Sequence, residues 1–189
     1  MSNIGAPDGR RWCPGECDTT IRHRIQWSWQ PDQDHLVKSL ETLVNIYYQS
    51  IGHGCNLLLN ANPDRDGLIP AADMRRYEEF GREIQRRFGQ SLAETSGVGP
   101  VLELKLPGEV LVDHLIIMED LRYGQRVRHF EAEYWSAGQW HSFWGDSAIG
   151  HKFILPANQV KASAMRLRCD SSVGTPHIRK FAAYNVWRP

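Results

Sequence analysis

The stretch Asp34–Ile69, DHLVKSLETLVNIYYQSIGHGCNLLLNANPDRDGLI, decides the fold. Leu36, Leu40, Leu43, Val44 and Tyr47 recur at helical spacing on one face, so a helix is predicted over Asp34–Ser50 with Asp34 as its N-cap. Gly52 and Gly54 then supply the glycine punctuation that ends helices. Cys55–Ala61, CNLLLNA, is a short, almost unbroken apolar run, which suits a strand buried on both faces. The turn residues of Asn62–Gly67 make a loop. Pro70 fits the first turn of a second helix reaching about Phe88, with an apolar stripe of Met74, Tyr77, Phe80, Ile84 and Phe88. Helix, buried strand, loop, helix is the rhythm of an α/β barrel or a doubly wound sheet. The loop leaves the strand at its C-terminal end, the side on which active sites of such barrels lie.

Beyond this unit the pattern changes. Gln90–Pro100 replaces periodic structure with Ser, Thr, Gly and Pro and reads as a linker, placed over residues 93–100. Val101–Leu106 alternates as a half-buried strand should, Val110–Met118 is more continuously apolar, and Val127–Tyr134 alternates again. Ser136–Gln139 reads as a turn, and further strands are expected over Trp140–Trp144, Ala164–Cys169 and Ile178–Val186. Short strands at this spacing predict an antiparallel β-sandwich over 101–189. The fold class is therefore α/β plus all-β.

Upstream, Trp12–Trp29, WCPGECDTTIRHRIQWSW, sets Glu16 and Asp18 among three tryptophans. Indole rings can line a sugar site, and a carboxyl group beside them loses solvent, which raises its pKa and suits it to proton donation. The same letters also fit a surface loop whose tryptophans pack on the body of the protein. Trp135, Trp140 and Trp144 pose the same choice; Trp140 and Trp144 share strand parity, which favours core packing. Cys13, Cys17, Cys55 and Cys169 lack paired CxxC spacing, and His23, His35 and His53 lack ligand spacing. Asp113, Glu119 and Asp120 are a weak pattern for structural calcium. Basic and acidic residues balance at 22 each, which gives no electrostatic reason to expect nucleic acid or an anionic membrane as partner. No apolar run is long enough to span a bilayer.

PGECDTTIR (Pro14–Arg22), WSW (Trp27–Trp29), IYYQSIGHGCNLLLN (Ile46–Asn60) and PDRDGLI (Pro63–Ile69) resemble, in order and spacing, the C-terminal end of the catalytic barrel of glycoside hydrolase family 29 α-L-fucosidases, in the subfamily acting on branched α1,3/α1,4 fucosides. GQRV (Gly124–Val127) and SAIGHKFI (Ser147–Ile154) resemble the discoidin-like, galactose-binding-like sandwich that often follows it. The resemblance implies a C-terminal segment of a (β/α)8-type barrel over 1–92, a linker over 93–100 and the sandwich over 101–189. It implies Glu16 as the general acid/base of a retaining exo-glycosidase, with Arg22, Trp27 and Trp29 binding substrate. It implies a fucosylated oligosaccharide or glycoconjugate as partner, and neither metal nor other cofactor. The family's aspartate nucleophile lies in a tryptophan- or phenylalanine-rich motif ending in Asp-Gly. The pairs Asp8-Gly9 and Asp66-Gly67 both sit in hydrophilic surroundings, so the nucleophile is expected upstream of Met1 and the 189 residues alone are expected to be inactive. The run His23–Gln26, with Ser28 and Gln30, departs from the family's pattern on the leaving-group side of the site. The alternative reading is a non-catalytic carbohydrate-binding or structural β-sandwich.

Overall fold

The computed structural model describes residue 11, residues 13–23 and residues 27–187. Among the described residues the first element is a strand, β1 (Glu16–Thr20), followed by a 3-10 turn at Asp34–Leu36 and helix α1 (Leu40–Gln49). Strand β2 (Asn56–Asn60) and helix α2 (Ala71–Phe88) complete this part. Strands β3 (Ala93–Val98), β4 (Val101–Glu119), β5 (Val127–Ser136), β6 (Gln139–Asp146), β7 (Phe153–Ser172) and β8 (His177–Tyr184) follow. β1 and β2 pair in parallel; the other six strands form one antiparallel sheet in the order β3-β8-β4-β7-β5-β6.

The first helix starts later than its spacing predicts. Ser39, not Asp34, is the N-cap, its hydroxyl accepting from the Thr42 amide at 3.1 Å. Val37 is held extended by a bridge to Arg22, and the Lys38 amide donates to the Ile21 carbonyl at 2.9 Å. That pairing outweighs helix propagation through residues 37–38. The helix ends where expected: a Cβ at Gly52 would run into the Tyr48 carbonyl. β2 also differs from its expectation. Asn56 and Leu58 are exposed, Leu58 by 50%, so only one face of this strand is covered.

In the large sheet, Leu104, Leu106, Val112, Leu115 and Ile117 of β4 face one core with Phe130, Ala132, Met165, Leu167 and Phe181. The opposite face of β4, β7 and β8 presents Ile116, Ile154, Ala182 and Tyr184 to Tyr47 of α1 and to Phe80, Ile84 and Phe88 of α2. Phe88 meets Tyr184 edge-on at 5.6 Å between ring centroids. Coverage on both faces explains why Val110–Met118 is apolar apart from Asp113 and His114. The predicted α2 stripe holds from Phe80 onward, whereas Met74 is 42% exposed.

Two expectations about the β region need correction. The expected linker holds β3, which pairs with β8 through a register shift between Thr95 and Gly97; its Ser, Thr and Gly content mimics a loop. The strand expected over Ala164–Cys169 begins at Phe153, and a bulge at Ala157–Gln159 interrupts its pairing with β4. The calcium pattern also dissolves. Glu119 accepts from the amides of Arg126, Val127 and Gly150, Asp120 pairs with Arg122, and Asp113 accepts from the amides of Val186 and Trp187.

A buried relay fastens the helices to the sheet. His114 Nδ1–H donates to Asp113 Oδ1 at 2.6 Å, which leaves Nε2 to accept from the Tyr48 hydroxyl at 2.8 Å. Arg87 Nη1 donates to that hydroxyl at 3.2 Å. Burial pushes the His114 pKa down, against the pull of Asp113, and the Arg87 charge adds to the depression. As pH falls, the unfolded chain therefore takes up this proton first. The stabilisation is complete above about pH 6.5 and is lost as pH drops below it. In urea titrations of the 189-residue chain, His114→Ala is expected to cost about 2–3 kcal/mol, since it strands two buried polar partners. The wild-type midpoint should fall between pH 7 and pH 5.5. His114→Asn should reduce that slope without abolishing it, because burial also depresses His151, beside Arg179 and Lys152.

Candidate functional site

β1 and β2 run side by side with Glu16 opposite Asn56, Asp18 opposite Leu58 and Thr20 opposite Asn60. Side-chain alternation puts these six residues on one face of the pair. Four of them, Glu16, Asp18, Asn56 and Leu58, are exposed. Cys17, Cys55, Leu57 and Leu59 take the other face, and the Tyr77 hydroxyl of α2 donates to the Asn60 carbonyl at 3.0 Å. Burial, with a hydrogen bond and charge interaction from Cys17, pushes the Cys55 thiol up to about 11, so it stays protonated at neutral pH.

The C-terminal end of the pair is built around a buried cation. Arg22 is fully buried; its Nε donates to Asp73 Oδ2 at 3.1 Å and its Nη2 to Asp73 Oδ1 at 2.7 Å. Its Nη2 also meets Asp34 Oδ1 at 3.0 Å, and its Nη1 donates to the Gln33 carbonyl at 2.8 Å. Lys38 Nζ donates to the carbonyls of Thr20 and Arg22, and burial lowers its pKa. Arg76 Nη1 donates to the Lys38 carbonyl at 2.7 Å. The two βα connections are thereby tied to α2. Next to them the Asn60 amide donates to Asn62 Oδ1. The following loop closes on Asp64, whose carboxylate accepts from the amides of Asp66 at 2.9 Å and Leu68 at 3.0 Å, with Gly67 at φ 78°.

The residues singled out from sequence are therefore not gathered in one place. Trp27 is 49% exposed and Trp29 half-buried, both in the segment that follows the C-terminal end of β1. Trp12 lies outside the described residues. Glu16 begins β1, four residues before Thr20, so a rise of about 3.3 Å per residue puts it about 13 Å along the strand from the end beside Asn60. Arg22 cannot meet a substrate, because its side chain has no exposed surface and is engaged by Asp73, Asp34 and Gln33. That corrects its expected substrate-binding role. Asp73 carried no signal of its own, since an acidic residue in the first turn of a helix is ordinary. Among the described residues no cluster of three or more His, Cys, Asp or Glu could hold a metal ion.

This geometry recurs in known proteins. Residues 6–87 match the family Alpha-L-fucosidase. A crystal structure from Bacteroides thetaiotaomicron VPI-5482, assigned to the α-L-fucosidases, superposes with a TM-score of 0.93 at 38% identity over 96% of this chain and 43% of that one. A Ruminococcus gnavus family 29 fucosidase, solved with fucose, shares the fold at TM-score 0.81 and 23% identity, over 94% of this chain and 42% of that one. Alpha-L-fucosidase 1 of Arabidopsis thaliana is 28% identical over 220 aligned positions, covering 97% of this chain and 43% of that protein. The chain spans about two fifths of the length of the curated relatives it matches, 41% and 43%.

Three single substitutions separate the buried pair from its exposed neighbour. Arg22→Ala or Asp73→Ala should each cost about 3–5 kcal/mol, because each removes one partner of a buried ion pair. Asp34→Ala should cost no more than about 1 kcal/mol, since Asp34 is 66% exposed. Chemical denaturation of the three variants checks both figures. Over residues 6–87 this chain is thus similar to the family Alpha-L-fucosidase, and its fold superposes on solved structures assigned to the α-L-fucosidases.

Proposed function

We propose that these residues belong to a retaining α-L-fucosidase, in which 1–92 contribute the closing staves of a (β/α)8-type barrel and the antiparallel strands form a sandwich that braces it. On this reading β3 belongs to the sandwich and not to a linker. The observation that carries the reading is the β1–β2 pair itself. Two parallel strands are covered by helices on one face and leave Glu16, Asp18, Asn56 and Leu58 uncovered on the other, in a chain similar to fucosidases more than twice its length. A parallel pair of this kind is stable in barrels with both faces covered. The substrate class on this reading is a fucosylated oligosaccharide or glycoconjugate.

Strand polarity then orders the site. Barrel chemistry gathers at the C-terminal ends of the strands, which here means the Asn60–Gly67 loop and the segment bearing Trp27 and Trp29. Trp27, half exposed there, is suited to wall the leaving-group side. Glu16 stands at the opposite end of β1. A retaining mechanism needs its two carboxyl groups about 5–5.5 Å apart across the scissile bond. Glu16 lies about 13 Å along β1 from the end where barrel chemistry gathers, so on this reading the acid/base role falls to a different carboxyl group. Glu16 and Asp18 instead line the inner face of the barrel below the site.

The test uses an aryl α-L-fucoside and the whole protein. Glu16→Gln should leave kcat/KM within about tenfold of wild type. A fall of about 10²–10⁴-fold, with activity restored by azide and a fucosyl azide product, would reinstate Glu16 as the acid/base. The 189 residues by themselves should release no aryl alcohol, and turnover by that polypeptide would refute the shared-barrel reading.

A further inference from the structure

The large sheet carries a second concave surface that shares no residue with the β1–β2 region. It is a groove of about 610 Å³ between β6, β7 and the C-terminal segment, and its walls include Tyr134, Ser142, Trp144, Pro156, Asn158 and Trp187. The volume lies in the range of small-ligand sites. Two strand irregularities build it. On β6, Ser142 faces Glu133 and Trp144 faces Ala132, so Phe143 is an extra residue. On β7, Pro156 faces His114 and Val160 faces Val112, so three residues, Ala157, Asn158 and Gln159, oppose the single Asp113. Bulges re-aim side chains. The one on β6 shifts parity by one residue between Trp140 and Trp144. Trp140 remains stacked on the Arg166 guanidinium at 4.2 Å and edge-on to Trp135, whereas Trp144 turns into the groove with 40% of its surface exposed. The shared orientation expected of Trp140 and Trp144 is thus broken by one inserted residue.

Trp187 is the opposite wall, and it is held rather than loose. Its amide donates to Asp113 Oδ2 at 2.9 Å, the Arg87 guanidinium lies 5.3 Å from its ring, and the His114 ring is 5.6 Å away. Even so, it is 56% exposed. An aromatic ring fixed by three contacts and still open to solvent is a prearranged platform, whose ordering cost is met before anything binds. Among the described residues no charged side chain lines the groove. Its polar groups are the Asn158 amide and the hydroxyls of Ser142 and Tyr134, all neutral donors and acceptors.

We propose that this groove is a carbohydrate site separate from the fucosidase mouth, taking a neutral glycan by packing the C–H face of one pyranose on Trp144 or Trp187 and hydrogen-bonding its hydroxyls through Asn158 and Ser142. Aromatic plates supply contact area without a charge requirement, and the amide and hydroxyls set orientation. A site this open holds its ligand in the millimolar range and serves to keep the protein on a glycan surface, independently of whether the barrel turns over.

The experiment uses the 189-residue chain and N-acetyllactosamine, a neutral disaccharide, followed by saturation-transfer NMR and tryptophan fluorescence. Saturation should reach the pyranose ring protons. Trp144→Ala and Asn158→Ala should each weaken binding by about tenfold, the worth of one aromatic or amide contact; thermal denaturation establishes that both remain folded. A combined Trp27→Ala, Trp29→Ala variant should bind as wild type. Absence of transfer at millimolar disaccharide, or binding unchanged in Trp144→Ala, would overturn the proposal. So would tighter binding of the sialylated trisaccharide, or competition by an extended peptide added at the β6 edge. Binding that follows Trp27 and Trp29 would overturn the groove while leaving the fucosidase reading intact.

Discussion

The structure depends on how the outer face of β4, β7 and β8 is covered. Ile116, Ile154, Ala182 and Tyr184 form an apolar surface that water would contact if Tyr47, Phe80, Ile84 and Phe88 did not lie on it. Burial of such side chains is worth about 1.5–3 kcal/mol each, so this layer contributes more than any polar contact in the chain. It also couples two kinds of architecture. α2, which covers the antiparallel sheet through Phe80, Ile84 and Phe88, also reaches β2 through the Tyr77 hydroxyl. A shift of α2 would therefore disturb both strand systems. Sub-domain independence is therefore low at this seam, although the strand patterns on its two sides differ.

Much of this was legible from residue spacing. The stripe on α2 and the alternation of β4 and β5 follow from burial on one face, and burial leaves a period that letters preserve. What spacing could not reveal is where a long-range pairing overrules a local preference. Leu36 and Leu40 continue one helical stripe, yet Val37 and Lys38 are taken by Ile21 and Arg22, fifteen or more positions earlier in the chain. β3 is written in Ser, Thr and Gly, and it exists because β8 offers it an edge. Pro156 sits inside a bulged strand, where its pairing with His114 of β4 holds it. At each of these positions the deciding partner is remote in sequence.

The same limit applies to the site. Letters align Glu16 with a catalytic position, and composition supports it, since three tryptophans stand nearby. Neither reports strand direction or where along the strand a residue falls. Once β1 is seen to start at Glu16 and to run parallel to β2, distance along the strand becomes the controlling quantity. Arg22 teaches the complementary lesson. A motif arginine beside carboxylates looks equally fit for substrate or structure, and only its burial against Asp73 separates the two. A guanidinium with no exposed surface organises a mouth without touching what enters it.

Asp113 connects these parts in a way that single-residue reasoning misses. One carboxylate orients His114, which holds Tyr48 of α1, and the same carboxylate fixes the amides of Val186 and Trp187. It also stands alone opposite the three-residue bulge of β7 that shapes the groove. Helix layer, C-terminal segment and groove wall thus share one buried anion. A buried carboxylate with this many donors is costly to disturb, because every partner loses its match at once. Anything that loosens α1 from the sheet must also let Trp187 drift, and with it one wall of the groove. The packing that closes the apolar seam is therefore the packing that keeps an exposed indole in place.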